Sequence, residues 1–220
     1  TGTSASNTAI SPGGLLTIFG STLAAEERSA ISLPLPTSLG GISVLMNGIP
    51  APLIYASPTQ INLQAPFELS GPAATIVIST PRGQSQSVVV PLGGVQPGIF
   101  FQASTGLGAI VHNDDGKLTS ERPARAGNFL QLYATGLGAV SPVVRSGAAA
   151  PASPLSTTVA QPQVTIAGVP ATVLFSGLAP GFAGLYQVTL QVPEGVPAGR
   201  QRALLTVNGL RSNEVSLVLE

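Results

Sequence analysis

The residues that could do chemistry are few and poorly grouped. His112 is the single histidine, and Asp114 and Asp115 follow just after it. A hydrolytic reading would set that imidazole between one of these acids and a serine nucleophile. No Gly-x-Ser-x-Gly turn occurs to hold such a serine. A triad is recognised by geometry and roles together, not by the presence of its residue types. The spacing instead predicts a histidine at the end of a hairpin strand, and no catalytic residue is assigned. Asn113-Asp114-Asp115-Gly116 has the residue types of half a calcium loop. Calcium takes about six to eight oxygens, and here two carboxylates are adjacent with no alternating acid pattern after them. A hairpin turn accounts for Asn, Asp and Gly at these positions without an ion, so no metal is assigned.

Other constellations fail for equally concrete reasons. Gly136-x-Gly138 and Gly40-Gly41 precede no helix and no suitably placed lysine, so they read as turn and bulge glycines and not as a phosphate cradle. Cysteine is absent, which removes thiolate and disulfide chemistry. No cofactor is implied. Most of the seven Phe and three Tyr fall within predicted strands and read as core. Phe67, just past Pro66, and Phe182, in the loop Gly181-Phe182-Ala183-Gly184, are the two rings expected at the surface, and they are the candidate ligand contacts. Sugar-binding faces favour Trp and Tyr, with an apolar face and a polar edge, and Trp is absent. The competing reading has both rings closing the ends of hydrophobic cores. Arg200 and Arg202 with Glu194 and Glu214 form at most exposed pairs, each worth about 0–1 kcal/mol.

The elements that carry these residues are strands. Twenty prolines and 26 glycines in 220 residues leave no room for long helices. Between them run short segments rich in Val, Ile, Leu and Thr. Gln60–Ala65 alternates strictly, with Ile61, Leu63 and Ala65 on one side and Gln60, Asn62 and Gln64 on the other, the period of a half-buried strand. Asn47-Gly48 between Ile42–Met46 and Pro52–Tyr55 is a tight hairpin turn, and Pro81-Arg82-Gly83 is another.

The sequence also repeats itself. Gly14–Ala24 (GLLTIFGSTLA) returns as Asn128–Gly138 (NFLQLYATGLG), Asn47–Ala51 (NGIPA) as Ala167–Ala171 (AGVPA), and Gln60–Pro66 (QINLQAP) as Gln187–Pro193 (QVTLQVP). The copies keep their order while the distance between them grows, as when one β unit is used twice with insertions in its loops. This predicts an all-β chain of two sandwiches: residues 1–92, with a polar segment over 1–11, and residues 127–220. Residues 93–126 connect them as a β-hairpin, formed by Gly98–Gln102 and Gly108–His112. Phe100 and Phe101 are adjacent and face opposite sides of a strand, so one is expected in the first core and the other against the second unit. Arg145–Pro154 is the stretch expected to move most.

Only 8% of residues are charged and the net charge is zero, against about 25% charged residues in an average soluble domain. With a single lysine, Lys117, there is no electrostatic footprint for nucleic acid and no polybasic patch for anionic lipid. No apolar run approaches the ~18 residues of a membrane span, so no membrane insertion is expected. Few charges with many Ser, Thr, Asn, Gln, Gly and Pro suit an extracellular or cell-surface β-protein.

Several motifs resemble a known family. Tyr55–Pro66 (YASPTQINLQAP), Val95–Phe100 (VQPGIF), Gly108–Leu118 (GAIVHNDDGKL), Leu132–Val140 (LYATGLGAV), Leu185–Gly199 (LYQVTLQVPEGVPAG) and Ser212–Leu217 (SNEVSL) resemble the C-terminal domain of secreted proteins in Solibacter-type acidobacteria. The individual repeats are similar to immunoglobulin-like domains of the IPT/TIG type. The resemblance implies two immunoglobulin-like β-sandwiches in tandem, exported by a bacterium, with no activity attached. Together these readings lead to a non-catalytic extracellular structural or adhesive module. Its partners would be other protein chains, including copies of itself in a surface filament assembled through sheet edges, where unpaired backbone groups accept a further strand. The polar start Thr1–Ala9 is the candidate strand to be exchanged. The alternative is a glycan- or ligand-binding accessory module that uses Phe67 and Phe182.

Overall fold

A computed structural model describes residues 9–220; the segment expected to be exchanged, Thr1–Ala9, therefore lies almost wholly outside the described residues. The fold is all-β, and no helix among the described residues is long and apolar enough to cross a membrane. Thirteen strands of three or more residues carry it: β1 (Leu15–Phe19), β2 (Ser43–Met46), β3 (Leu53–Ala56), β4 (Gln60–Gln64), β5 (Ala73–Thr80), β6 (Val88–Pro91), β7 (Ile110–His112), β8 (Phe129–Thr135), β9 (Gln163–Ile166), β10 (Val169–Leu178), β11 (Tyr186–Gln191), β12 (Gly199–Val207) and β13 (Val215–Leu219). β2, β3 and β4 fall close to the segments Ile42–Met46, Pro52–Tyr55 and Gln60–Ala65 read above.

Over the N-terminal half, β1, β4 and β3 form one antiparallel sheet, and β2, β5 and β6 form another. Ile42, Val44, Met46, Leu53, Ile61 and Leu63 fill the space between them and are fully buried. Over the C-terminal half, β8, β11 and β10 form one layer and β9, β12 and β13 the other. β10 passes between the layers, pairing β9 through Val169–Ala171 and β11 from Thr172 onward. The second cluster of buried side chains is larger and includes Leu130, Leu132, Val164, Tyr186, Val188, Leu190, Leu205, Val215 and Leu217. Each fully buried aliphatic side chain contributes about 1.5–3 kcal/mol relative to exposure.

The two halves share their register residue by residue. Leu16 faces Leu63 as Leu130 faces Leu190, and Ile18 faces Ile61 as Leu132 faces Val188. Val44 faces Ile78 as Val164 faces Leu205. Ile76 faces Val88 as Ala203 faces Val215. Even a β-bulge recurs, between Leu53 and Tyr55 and again between Val173 and Phe175. The Asn47-Gly48, Ala167-Gly168 and Asn208-Gly209 turns all have both residues at positive φ, near 50° and 80°, the geometry that suits a two-residue hairpin to the strand twist.

The segment between the repeats takes a different place from the one expected. It does form a hairpin, Phe101–Gln102 against Leu107–Gly108. That hairpin does not stand between the halves, because its strands join the C-terminal sheets. Gly98–Ile99 and β7 pair with β8, and Leu107 pairs in parallel with Ser216 of β13. Phe101 packs against the C-terminal core. Phe100 is half-buried, and its amide donates to the Tyr133 carbonyl, so this pair of rings does not split between the two cores. The reason is backbone satisfaction: β8 and β13 would otherwise be open edges, and the segment supplies their hydrogen-bond partners.

Candidate binding surfaces

His112 ends β7, as its sequence context suggests, and is 3% exposed. Its Nε2 lies 2.8 Å from the Arg122 carbonyl oxygen. A buried imidazole tied to a backbone carbonyl holds a loop in place and has little freedom to act as a base. The turn that follows is held by charge. The Arg122 guanidinium meets Asp114 at 2.5 Å and Asp115 at 3.3 Å, and Lys117 reaches Asp115 at 3.8 Å. The turn's own amides donate inward: Asp115 N–H to Asp114 Oδ1 and Lys117 N–H to Asp115 Oδ1. Both acids thus serve the turn, and no group of three metal-ligating side chains occurs among the described residues. The side-chain hydrogen bond from Arg122 holds the Asp114 carboxyl below the usual range, since it favours the charged form. The sign follows: the pair is intact above the ordinary carboxylate pKa and is lost as pH falls through the depressed one. An NMR titration should place Asp114 below an ordinary aspartate, and Arg122→Gln should return it to the ordinary value; an unchanged titration would show the pair to be open in solution.

Phe67 and Phe182, the two rings singled out above, have different surroundings. Phe67 is partly buried and packs against the C-terminal core although it belongs to the N-terminal half. A methyl group at Gly13 would collide with its ring. Phe182 is 55% exposed, on a loop fastened by Ala150 N–H donating to the Phe182 carbonyl and Phe182 N–H to the Ala179 carbonyl.

Phe67 belongs to a polar and aromatic junction that the sequence did not disclose. Gln64 is buried, accepts from Gly147 N–H at 2.7 Å and extends its amide toward the Gly13 carbonyl at 3.4 Å. Ser146 donates to Glu68 and accepts from Phe67 N–H. Leu15 N–H donates to Thr135 Oγ1 at 2.6 Å, and Leu35 N–H to the Gly147 carbonyl. Two of the residues expected to move, Ser146 and Gly147, are held here. The outward period-two position of Gln64 was the available signal: a polar residue placed by alternation on the solvent face is instead buried with partners, as buried polar groups require.

A further unassigned feature is apolar. A groove of about 330 Å³ opens between β1 and β6 at the edge of the N-terminal sandwich; Leu16, Ile18, Ile76, Ile78, Val88 and Val90 line it together with Ile10, Phe19, Thr17 and Ser85. Phe19 and Val88, both in its lining, are 76% and 58% exposed. Among the described residues β1 forms a ladder only with β4 and β6 only with β5, and Ile10 N–H donates to the Pro91 carbonyl at the end of β6.

No family model and no curated protein matches this sequence. Solved structures match weakly. The SGBP-B protein of the Bacteroides ovatus mixed-linkage glucan utilization locus, solved with a mixed-linkage heptasaccharide, is 12% identical, with 99% of this chain and 44% of that one aligned and a TM-score of 0.37. The Escherichia coli adhesin FdeC is 12% identical over 97% of this chain and 61% of its own, with a TM-score of 0.27. Domains 5–6 of the S-layer protein SbsC are 15% identical over 99% and 95%, with a TM-score of 0.26. The chain thus spans less than half the length of the first of these. Similarity at this level decides nothing about what this chain binds.

Proposed function

We propose that the protein is a non-catalytic, extracellular structural or adhesive module of two immunoglobulin-like units, over residues 1–92 and 127–220 with 93–126 attached to the second, that engages other protein chains through its sheet edges. The observation that supports this reading most directly is the apolar groove between β1 and β6, with Phe19 and Val88 exposed in its lining. Natural edge strands are usually shielded by lysine, proline or a bulge. Here Pro91 closes one end of β6, and the rest of that edge is valine. The chemistry-bearing residues support the same reading from the other side, since His112, Asp114 and Asp115 are all engaged in holding one turn. Export by a bacterium and kinship with the acidobacterial C-terminal domains remain part of the proposal, on the motifs quoted above.

Sedimentation over a wide concentration range, with cross-linking of whatever associates, tests it. Self-association or capture of a partner chain that Val88→Lys weakens at least tenfold is the expected result. A strictly monomeric chain whose contacts with other proteins are indifferent to Val88→Lys would overturn it. The glycan-binding alternative rests on the exposed Phe182 ring, because Phe67 is committed to packing. Retention on insoluble polysaccharide that Phe182→Ala abolishes would favour that alternative.

A further inference from the structure

The duplicated register says what the groove is shaped to hold. Six of the ten residues that line it, Leu16, Ile18, Ile76, Ile78, Val88 and Val90, are all partly or wholly exposed. Their counterparts by strand register are Leu130, Leu132, Ala203, Leu205, Val215 and Leu217. Every one of those six is buried. The residue types are nearly the same, so composition does not cause the difference. What covers the C-terminal set is the segment Gly98–His112. It adds β7 antiparallel to β8, with Ile110 opposite Leu132, and places Leu107 parallel to β13 at Ser216. Ile110 is 1% exposed. Tyr133, the counterpart of Phe19, donates its amide to the Ala109 carbonyl and accepts from the Phe100 amide. The inserted segment thus satisfies the edge of β8 and closes the core together.

The correspondence extends to where the segment ends. Ala124 bridges Leu219 in parallel, and Ile10 bridges Leu92 in the same way. Ile10 therefore stands where Ala124 stands. We infer that the groove between β1 and β6 is a receptor site for an extended segment of another polypeptide, inserted antiparallel to β1 and parallel to β6, with a large aliphatic side chain opposite Ile18. This deepens the edge-contact reading above and rests on it.

The same comparison specifies the ligand's sequence. A methyl group at Gly108 would lie 2.7 Å from Val215 Cγ2 and 3.1 Å from Ile110 Cδ1. Contact that tight excludes a side chain, so the inserting strand carries glycine two positions before its aliphatic anchor, as in Gly108-Ala109-Ile110. The counterpart of Val215 is Val88, again valine, so the N-terminal groove imposes the same Gly-x-Ile pattern. The polar run Thr1–Ala9 contains no large aliphatic residue and does not meet the requirement. This form of recognition is strand addition, in which main-chain hydrogen bonds give affinity and alternate side-chain pockets give specificity.

The test uses the full chain and a labelled synthetic peptide with the sequence of Gln96–Lys117. Anisotropy should report saturable one-to-one binding, with amide shifts at Ile18, Phe19, Val88 and Val90. Ile110→Asp or Gly108→Val in the peptide should each weaken binding at least tenfold. Val88→Lys in the protein should do the same while leaving its melting curve unchanged, since Val88 is exposed in the free chain. No saturable binding up to millimolar peptide would overturn the inference, as would affinity indifferent to all three changes. Shifts confined to Leu132, Val215 and their neighbours would overturn it too, because they would mean that the peptide displaces the resident segment of the C-terminal half. If protein association through Val88 persists while the peptide fails, the edge-contact reading stands and the specified ligand is wrong.

Discussion

Gly136→Ala should be among the most damaging single-methyl substitutions this chain can receive. Gly136 has φ of 74°, and a Cβ built there would land on the Gln96 carbonyl carbon and oxygen. Neither can yield easily, because the Gln96 amide donates to the Gly136 carbonyl at 2.7 Å and fixes the two backbones together. Left-handed backbone strain costs on the order of 1–3 kcal/mol for a non-glycine residue, and overpacking against fixed atoms adds about 1–3 kcal/mol. A loss of about 3 kcal/mol or more is expected, a fall of roughly 6–12 °C in melting temperature if the chain unfolds cooperatively. Gly168→Ala is the matched control. Its φ is 81°, but its would-be Cβ has nothing within 4 Å, so it should lose only the conformational part, about 1 kcal/mol. Equal losses in the two variants, measured by chemical denaturation, would show that the Gln96 crossing does not constrain Gly136. The N-terminal counterpart makes the cause plain. Thr22 occupies the position equivalent to Gly136 with φ of 55° and a full side chain. The turn alone therefore tolerates a Cβ; the crossing segment is what demands glycine.

That contrast marks the boundary of what the residues disclose unaided. Period-two alternation located β4, and the Asn47-Gly48 pair located a hairpin turn, because both signals are local. Contacts made across the chain left no such trace. Phe67 beside Pro66 reads the same whether its ring faces solvent or, as here, a core built from residues far along the sequence. Gln64 lies on the polar side of an alternating strand and is nevertheless buried, because Gly13 and Gly147 close over it. The placement of Phe100 and Phe101 failed for a related reason. Adjacent residues on a strand do face opposite ways, but which neighbour lies on each side depends on the unpaired edges of β8 and β13. The groove was the least legible feature. Leu16, Ile18, Val88 and Val90 are core residues by type, and only comparison with the covered half reveals that they are partly open. His112 does end a strand, as its position before the Asn113–Gly116 turn suggests, because that signal too is local.

Truncating matched core positions should separate the cover's contribution from that of the sandwich itself. Leu132 and Ile18 occupy equivalent registers, facing Val188 and Ile61 respectively. Leu132 is fully buried beside its cross-strand partner Ile110, whereas Ile18 is partly exposed at the groove. Leu132→Ala should cost about 3–5 kcal/mol, the range for deleting a buried side chain whose surroundings cannot collapse. Ile18→Ala removes a side chain of similar size, but the free protein already leaves part of it in water and no sealed cavity results. A loss of about 1–2 kcal/mol is expected, near the low end for aliphatic truncation. Each half must be followed separately, by the methyl resonances of Val188 and Leu190 for one and of Ile61 and Leu63 for the other, because a single unfolding free energy is undefined if the cores melt independently. Adding the Gly-x-Ile peptide should then convert Ile18 into a covered position. The penalty for Ile18→Ala should rise toward that for Leu132→Ala as the peptide saturates, because linkage adds the ligand's binding free energy only to a native state that can hold it. A penalty that stays fixed at saturating peptide would place the bound strand away from Ile18, and the antiparallel register proposed for β1 would have to be abandoned.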